Sequence, residues 1–511
     1  MFRSRTVWIK AAILATGISG LVAEFILSTL ASYFIGDTVV QWTLVLSIML
    51  FSMGLGSHSS KRVKRHLLTT FVLIEISLSL LIGLAPLLVY AVAGYWQYIH
   101  LLVYGLAALT GFCIGFEIPL ATRLNEDFAD LKENVSSILA WDYVGSLIGG
   151  LAFAFLGLPV LGLKNTAFLV GGLNLLAAMV LFVSYWNFSG QRKWWLGGSG
   201  VLAAGILALF FTQSGAITQY GEQKRYKDKI VFAKESAYQK LVVTTWLGHH
   251  WLYINGNLQL STIDAFMYHE PMAHPVMHLC KERSHLLVIG GGDGLLVKEL
   301  LKYVDVQQIT VVDLDPAMTD LGAQFGPMVA ANDSAFHDPK VQVLNQDGFV
   351  FLQQSEAFYD AILLDLPDAK GIDLNKLYSK EFYQMAYRHL RPNGHLITQA
   401  GSPYYATKAF ACIENSVGAA GFHTLALHNQ VMSMGEWGWV IGSRRWTSEQ
   451  MKAQLAQPDW EPVETQWFTP QVLPLLTTFG KPLADTAGVG INTINDPVLY
   501  RYQLNGTWKN Y

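Results

Sequence analysis

The stretch LLVIGGGDGLLVKELLKY, Leu286 to Tyr303, decides the fold of the C-terminal half, and DLDP follows ten residues later at Asp313–Pro316. An apolar strand runs into a glycine-rich turn and then a helix, the arrangement that cradles nucleotides. A dinucleotide site of this kind spaces its glycines G-x-G-x-x-G so that a pyrophosphate rests on the helix N-terminus. Here Gly290, Gly291, Gly292, Asp293, Gly294 and Leu295 lack the third glycine and place a carboxylate where phosphates would sit. An anion is repelled there, and a cationic nucleoside, a sulfonium, is not.

Downstream, strand and helix patterns alternate: QITVVDLD with PAMTDLGAQF, VQVLNQD with GFVFLQQS, YDAILLDLPD with SKEFYQMAYRHL, and GHLITQAG with ATKAFACIENSVGAAG. This order predicts a parallel, doubly wound, Rossmann-like sheet of the class I methyltransferase type, with ligands at the carboxyl ends of the strands. Acids stand at those ends. Asp313 lies twenty residues after Asp293, where a carboxylate takes the hydroxyls of a ribose. Asp347 and Gly348 follow the third strand, where an acid accepts from an adenine amino group, and Asp365 and Asp368 end the fourth. Aspartate is also a favoured helix N-cap; four successive strand ends are more than capping explains. Upstream, KIVFAKES, KLVVTTW and HWLYINGNLQL read as a small antiparallel β domain with a hairpin turn at Asn255–Gly256.

The N-terminal half is different in kind. The chain has 511 residues, 52% of them apolar, and a net charge of −3; its mean hydropathy of +0.30 is high for a soluble protein. Seven windows near 8–33, 38–56, 67–94, 98–121, 137–162, 165–186 and 194–212 reach the ~20 residues needed to cross a bilayer. Gly111/Gly115 and Gly145/Gly149 have the spacing that lets helices approach in lipid. The aromatic run at Tyr95–Tyr98 reads as an interfacial belt. No cleavable leader fits the first apolar run. Arg3, Arg5, Lys10, Lys61, Arg62, Lys64, Arg65, Arg123, Lys132, Arg192 and Lys193 fall in alternate loops, which puts the N-terminus in the cytoplasm of a plasma (inner) membrane protein. Seven crossings then put the C-terminal half outside, whereas a cytosolic nucleoside ligand would put it inside, and both stand as expectations. Glu24, Glu75, Glu117 and Asp142 fall within apolar windows. Such acids line a site for an organic cation or sit neutral between helices.

Other classes are disfavoured. The charge balance and the lack of a basic, aromatic-interleaved patch argue against a nucleic-acid partner. Cys113, Cys280 and Cys412 stand too far apart for a C-x-x-C site. His274 and His278 are four apart, but Pro275 intervenes and no third ligand is near, so no metal is expected.

YQKLVVTT, NGNLQLSTIDAFMYHEPMAH, VIGGGDG, VVDLD, NQDGF, YDAILLDLPDA and LYSKEFY follow the order and spacing of the spermidine synthase family of polyamine aminopropyltransferases, which residues 235–445 resemble; the apolar half resembles its multi-pass membrane branch. YHE shortly before GGGDG is the specific part. The apolar windows and strand patterns give a membrane domain over 1–215, a β domain over 225–268, a Rossmann-like domain over 269–445 and an extension over 446–511; the resemblance implies a homodimer. It implies transfer of the aminopropyl group of decarboxylated S-adenosylmethionine to an amine, usually putrescine, giving spermidine and methylthioadenosine. By the same comparison Gly290, Gly292, Asp293 and Asp365 meet the donor, Asp313 meets the ribose, Asp347 and Gly348 the adenine, and Gln239 the nucleoside edge. An aliphatic amine, protonated near pH 7, must also lose a proton, and that step falls to Asp365 with Tyr268 assisting. Tyr268, His269 and Asp368 position the acceptor. Many members carry D-S-S-D-P where this chain has Asp365-Leu366-Pro367-Asp368-Ala369, and a Pro-Thr-Tyr-Pro segment where it has SMGEWGW at 433–439. The acceptor pocket is therefore expected to be rebuilt around Glu436 and Trp437, an acid beside an aromatic face. A methyltransferase, and a polyamine transporter or sensor with a binding-only soluble half, remain the alternatives.

Overall fold

The computed structural model describes residues 2–36, 38–95, 98–125, 130–186, 193–369, 371–457, 459–480, 486 and 488–504. Of the residues singled out above, Trp96, Gln97 and Arg192 lie outside these. The chain divides into two compact units, Met1–Lys229 and Ile230–Tyr511.

The first unit is helical: α1 (Phe2–Ile35), α2 (Thr38–Ser60), α3 (Leu67–Ala93), α4 (Ile99–Leu124), α5 (Leu131–Ala152), α6 (Gly162–Ser184) and α7 (Lys193–Arg225). Among the described residues, six apolar helical runs are long enough to cross a bilayer, one of them the 53-residue run Lys132–Ser184. That run holds two segments. After α5 the chain forms a π-helical stretch, Phe153–Leu161, and turns back at Gly162 (φ 73°). Thr166 Oγ1 then donates to the Gly157 carbonyl at 2.8 Å, a distance a continuous helix could not give over nine residues. The last helix runs on to Arg225, well past the apolar window that ends near 212. The glycine pairs mark helix contacts. A Cβ on Gly111 or Gly115 would strike the Met49 or Met53 carbonyl of α2, and one on Gly145 or Gly149 the Leu14 or Ile18 carbonyl of α1, all within 2.7 Å. Side chains facing away from the bundle, Phe51, Leu147, Phe155 and Val201 among them, are apolar and exposed.

The second unit opens with an antiparallel sheet of β1 (Lys229–Glu235), β2 (Lys240–Trp246), β3 (His249–Ile254) and β4 (Asn257–Ser261) in sequential order. Asn255 and Gly256 both take positive φ, as a two-residue hairpin turn requires. Helix α8 (Phe266–Leu279) follows, then β5 (His285–Gly290), α9 (Leu295–Leu301), β6 (Gln308–Asp313), α10 (Pro316–Gln324), α11 (Gly326–Ala331), β7 (Val341–Asn345), α12 (Gly348–Gln354) and β8 (Tyr359–Asp365). The remainder is α13 (Ile372–Asn375), α14 (Lys380–His389), β9 (Leu390–Gly401), α15 (Thr407–Ala419), β10 (His423–Val431), β11 (Gly435–Ser443) and short helices beyond.

The seven-stranded sheet runs β10-β11-β9-β8-β5-β6-β7. Its five strands from β5 to β9 are parallel, and β10 and β11 form an antiparallel hairpin added at the β9 edge. That hairpin departs from the all-parallel expectation. Central β5 and β8 are buried almost throughout, which is why they read as continuous apolar runs rather than alternating ones. The order reverses between β5 and β8, and the crevice at such a switch point is where ligands of open α/β sheets bind.

Candidate active site

Register brings the first acids together. Gly290 pairs with Asp365 across β5 and β8, and the Gly291 N–H donates to the Asp365 carbonyl at 3.1 Å. A Cβ on Gly290 would lie 1.9 Å from that carbonyl, and one on Gly292 2.6 Å from Asp313 Oδ2. These glycines let the turn fold down between two strand ends and carry Asp293 over Asp365. Asn332, fully buried, fixes the turn by donating to the carbonyls of Asp293 (2.7 Å) and Gly322 (2.8 Å).

Helix α8 supplies the opposite wall. Pro271 has no N–H for the Met267 carbonyl one turn back, and Asn429 Nδ2 on β10 donates to it instead at 2.7 Å. Asp264, just before the helix, accepts from the Ser433 N–H and hydroxyl at 2.6 and 2.9 Å. So tethered, Tyr268 donates to Asp365 Oδ1 at 2.8 Å. His269 Nδ1 faces the Ala265 carbonyl at 2.7 Å, an acceptor, so this nitrogen carries the proton and Nε2 holds a lone pair in the neutral ring. That Nε2 lies 4.0 Å from Asp365 Oδ2. One ligand atom each of His269, Asp293 and Asp365 lies within 4.8 Å of the others. Two carboxylates and an imidazole so placed can hold a cation, metallic or organic.

Burial pushes the Asp365 carboxyl up to about 6, with His269, when its ring is protonated, drawing it down and Asp293 pushing it further up. Burial raises Tyr268 well above the ordinary phenol range, and the adjoining Asp365 adds to it. Asp313 is likewise raised by burial to about 6, although its Oδ1 accepts from the Asp315 N–H at 2.9 Å.

Capping accounts for part of the acid pattern. Asp315 and Asp347 are N-caps of α10 and α12, and Asp293 Oδ1 accepts from Leu295 N–H at 2.8 Å. The second oxygen of Asp347 meets Lys376 Nζ at 2.6 Å. Burial alone would raise this carboxyl, but Lys376 and the two capping N–H groups outweigh it and hold it below the usual range. Gly348 lets α12 start against Ile289 of β5, where a Cβ would come within 2.5 Å. Half-buried Gln239 sits on the loop before β2; Ser236 joins its carbonyl (3.0 Å) to the Asp315 carboxylate (2.8 Å), which sets it beside the β6 end. Asp368 follows β8 on a loop held by Tyr378 and Gln399, which both donate to the Leu366 carbonyl.

The expected pairing of Glu436 with Trp437 is corrected. They are consecutive in β11 and point to opposite faces, as strand neighbours must. Trp437 packs on the Tyr268 side, with ring centroids 6.4 Å apart. Glu436 meets His428 Nδ1 at 2.5 Å, and His428 stacks on Phe479 on the other side of the sheet. His428 Nε2 faces the Thr478 carbonyl at 3.1 Å. Burial works against the charged ring, but Glu436 and that carbonyl prevail and raise its pKa. Glu436 is thus matched with an imidazolium.

Some residues here have roles that the sequence alone does not assign. Glu270, third in YHE and fully buried, accepts from the backbone N–H groups of Gln466 (2.6 Å), Trp467 (3.0 Å) and Phe468 (2.7 Å). It binds the C-terminal extension to the helix that carries Tyr268 and His269. Its place directly after two site residues, Tyr268 and His269, was the available signal. His274 bonds Tyr303 and Glu299, whereas His278 stacks on Trp460, two unrelated structural tasks.

Residues 265–452 match the spermine/spermidine synthase domain family. A polyamine aminopropyltransferase of Oceanobacillus iheyensis is 37% identical, covering 97% of this chain and 96% of its own. The chain belongs to the polyamine aminopropyltransferase family. Polyamine aminopropyltransferase 2 of Aquifex aeolicus is also 37% identical, over 97% of this chain and 98% of its own, so the likeness among aminopropyltransferases extends through the helical unit. The spermidine synthase of Thermotoga maritima, at 19% identity, covers 49% of this chain and 85% of its own with a TM-score of 0.44. As a polyamine aminopropyltransferase the chain is an enzyme of alkyl transfer.

Proposed function

We propose that this enzyme transfers the aminopropyl group of decarboxylated S-adenosylmethionine to putrescine, giving spermidine and methylthioadenosine. The convergence of Asp293, Asp365 and His269 supports this reading most strongly. The donor, having lost its carboxylate, ends in an ammonium beside a sulfonium, and both it and a diamine favour an acidic crevice. Intact S-adenosylmethionine would bring its own carboxylate against Asp293 and Asp365, which disfavours a methyltransferase.

The amine nitrogen attacks the methylene carbon on sulfur. The C–N bond forms, the C–S bond breaks, its electron pair stays on sulfur, and neutral methylthioadenosine leaves. An aliphatic amine has a pKa of about 10 and is protonated near pH 7, so its proton must be removed. Asp365 Oδ2, with Oδ1 held by Tyr268, orients the ammonium and accepts that proton, directly or through water. The lone pair on His269 Nε2 faces the same gap. A carboxyl raised to about 6 is a better base than an ordinary aspartate of about 3.9. Asp313 takes the ribose, Asp347 the adenine with Lys376 yielding its hold, and Gln239 the nucleoside edge. Asp368 and Trp437 flank the acceptor. The exposed apolar faces of the helical unit suit lipid, and we place its helices across the inner membrane.

The test uses detergent-solubilised full-length protein with decarboxylated S-adenosylmethionine and a panel of amines, following methylthioadenosine release. Release that depends on putrescine is expected. Silence with every amine, alongside tight nucleoside binding, would overturn the assignment.

A further inference from the structure

The helical unit buries three acceptor side chains in one place. Glu75 of α3 and Asn174 of α6 are fully buried, and Glu117 of α4 is 2% exposed. Asn174 Nδ2 donates to Glu75 Oε2 at 2.8 Å and to the Glu75 carbonyl at 3.0 Å. Glu117 lies within electrostatic reach of Glu75 and has Thr16 of α1 against it. Glu75 Oε1, Glu117 Oε1 and Asn174 Oδ1 are each buried with no hydrogen-bond partner. Among the described residues no lysine, arginine or histidine is buried in this unit, so no internal cation balances the acids.

Burying two carboxylates with only Asn174 and Thr16 as side-chain donors and no counter-charge is expensive, and buried acids among apolar helices are candidates for function by default. Protonation is the competing account, since it would neutralise each glutamate and give it one O–H to donate to an acceptor such as Asn174 Oδ1, and carbodiimide labelling separates it from a bound cation. A single metal ion is disfavoured: the described side chains that gather three His, Cys, Asp or Glu ligands around one point are those of the catalytic rim. An ammonium brings three N–H donors and a positive charge, and a diammonium reaches two separated carboxylates. We propose that Glu75, Glu117 and Asn174 form a binding site for an organic diammonium within the helical unit, apart from the catalytic rim. It rests on the proposed function only for the choice of probe.

The test uses the full chain in detergent micelles and equilibrium dialysis against radiolabelled putrescine. Wild-type protein is expected to take up two equivalents. Glu75→Gln and Glu117→Gln each lose one and keep wild-type methylthioadenosine release; Asp293→Asn loses the other. If the rim binds no putrescine, the proposed function fails, yet one equivalent sensitive to Glu75→Gln remains. Two variants that bind as wild type would overturn the site. Should the glutamine variants fail to fold, carbodiimide labelling of wild-type Glu75 and Glu117, read by mass spectrometry, serves instead. Putrescine is expected to slow labelling several-fold, and labelling that responds to pH alone would assign these acids to protons and reject the diammonium.

Discussion

The β5–β8 crevice and the end of β7 each present an aspartate at a strand terminus, yet they prepare it in opposite ways. Asp365 shares its crevice with Asp293, keeps only about a tenth of its side chain exposed, and is raised to about 6. Asp347 caps α12, pairs with Lys376, and is held below the ordinary range. A strand-end acid is therefore only a position. Chemistry follows from what surrounds it: repulsion and burial make a base, while backbone donors and a lysine make a stable anion.

The comparison breaks most sharply at Asp365. Asp365→Asn is expected to lose at least about two decades of turnover and to keep methylthioadenosine binding; near-wild-type release would remove its role. The pH dependence has two signs. Activity needs the ionised carboxylate, so kcat/KM should rise through about pH 6. Stability runs the other way, because the folded-state pKa exceeds the unfolded value of about 3.9. The folded chain keeps this proton between those values, so the group's contribution is most favourable at low pH and worsens as pH climbs through about 6. Asp365→Asn should therefore stabilise the ligand-free protein at pH 8, on the order of 1–3 kcal/mol, and have no such effect near pH 4. Thermal unfolding at the two pH values checks this.

These two environments were unequally legible. Glycine spacing, apolar runs and strand-end acids are local signals, and they lead to β5, β6, β8, Asp293, Asp313 and Asp365. What distinguishes Asp365 from Asp347 is not local: Tyr268 lies 97 residues away and Lys376 lies 29. Asn429 compensating Pro271, Asn332 fixing the glycine turn and Glu270 gripping Gln466–Phe468 are long-range bonds of the same kind. The β10–β11 hairpin is not legible as strands, because the glycines and mixed polarity of SMGEWGW break the alternation that marks one. Once it is a strand, alternation separates Glu436 from Trp437.

At β7 a smaller effect is expected. Asp347→Asn keeps a residue that caps as well as aspartate and should raise the donor KM by about 3- to 10-fold, the worth of one hydrogen bond of roughly 0.5–1.5 kcal/mol, with kcat unchanged. Steady-state kinetics with varied donor would show it; a fall in kcat with constant KM would mean that Asp347 belongs with Asp365 after all.

The smallest effect sharpens the face assignment. Trp437→Leu is expected to raise the amine KM, because Trp437 packs beside Tyr268. Glu436→Gln should leave that KM within about 2-fold, since its partner is His428 and a change of that size is only about 0.4 kcal/mol. Its consequence appears in stability. The folded pKa of His428 is raised, so the pair's contribution is complete below the unfolded value of about 6.5 and is lost as pH rises through the folded one. Glu436→Gln should accordingly destabilise the protein at pH 6 more than at pH 9, by a free energy near the roughly 1 kcal/mol ceiling of partly exposed pairs. Equal destabilisation at both pH values would show that Glu436 acts through packing, and a large rise in amine KM would return it to the acceptor pocket.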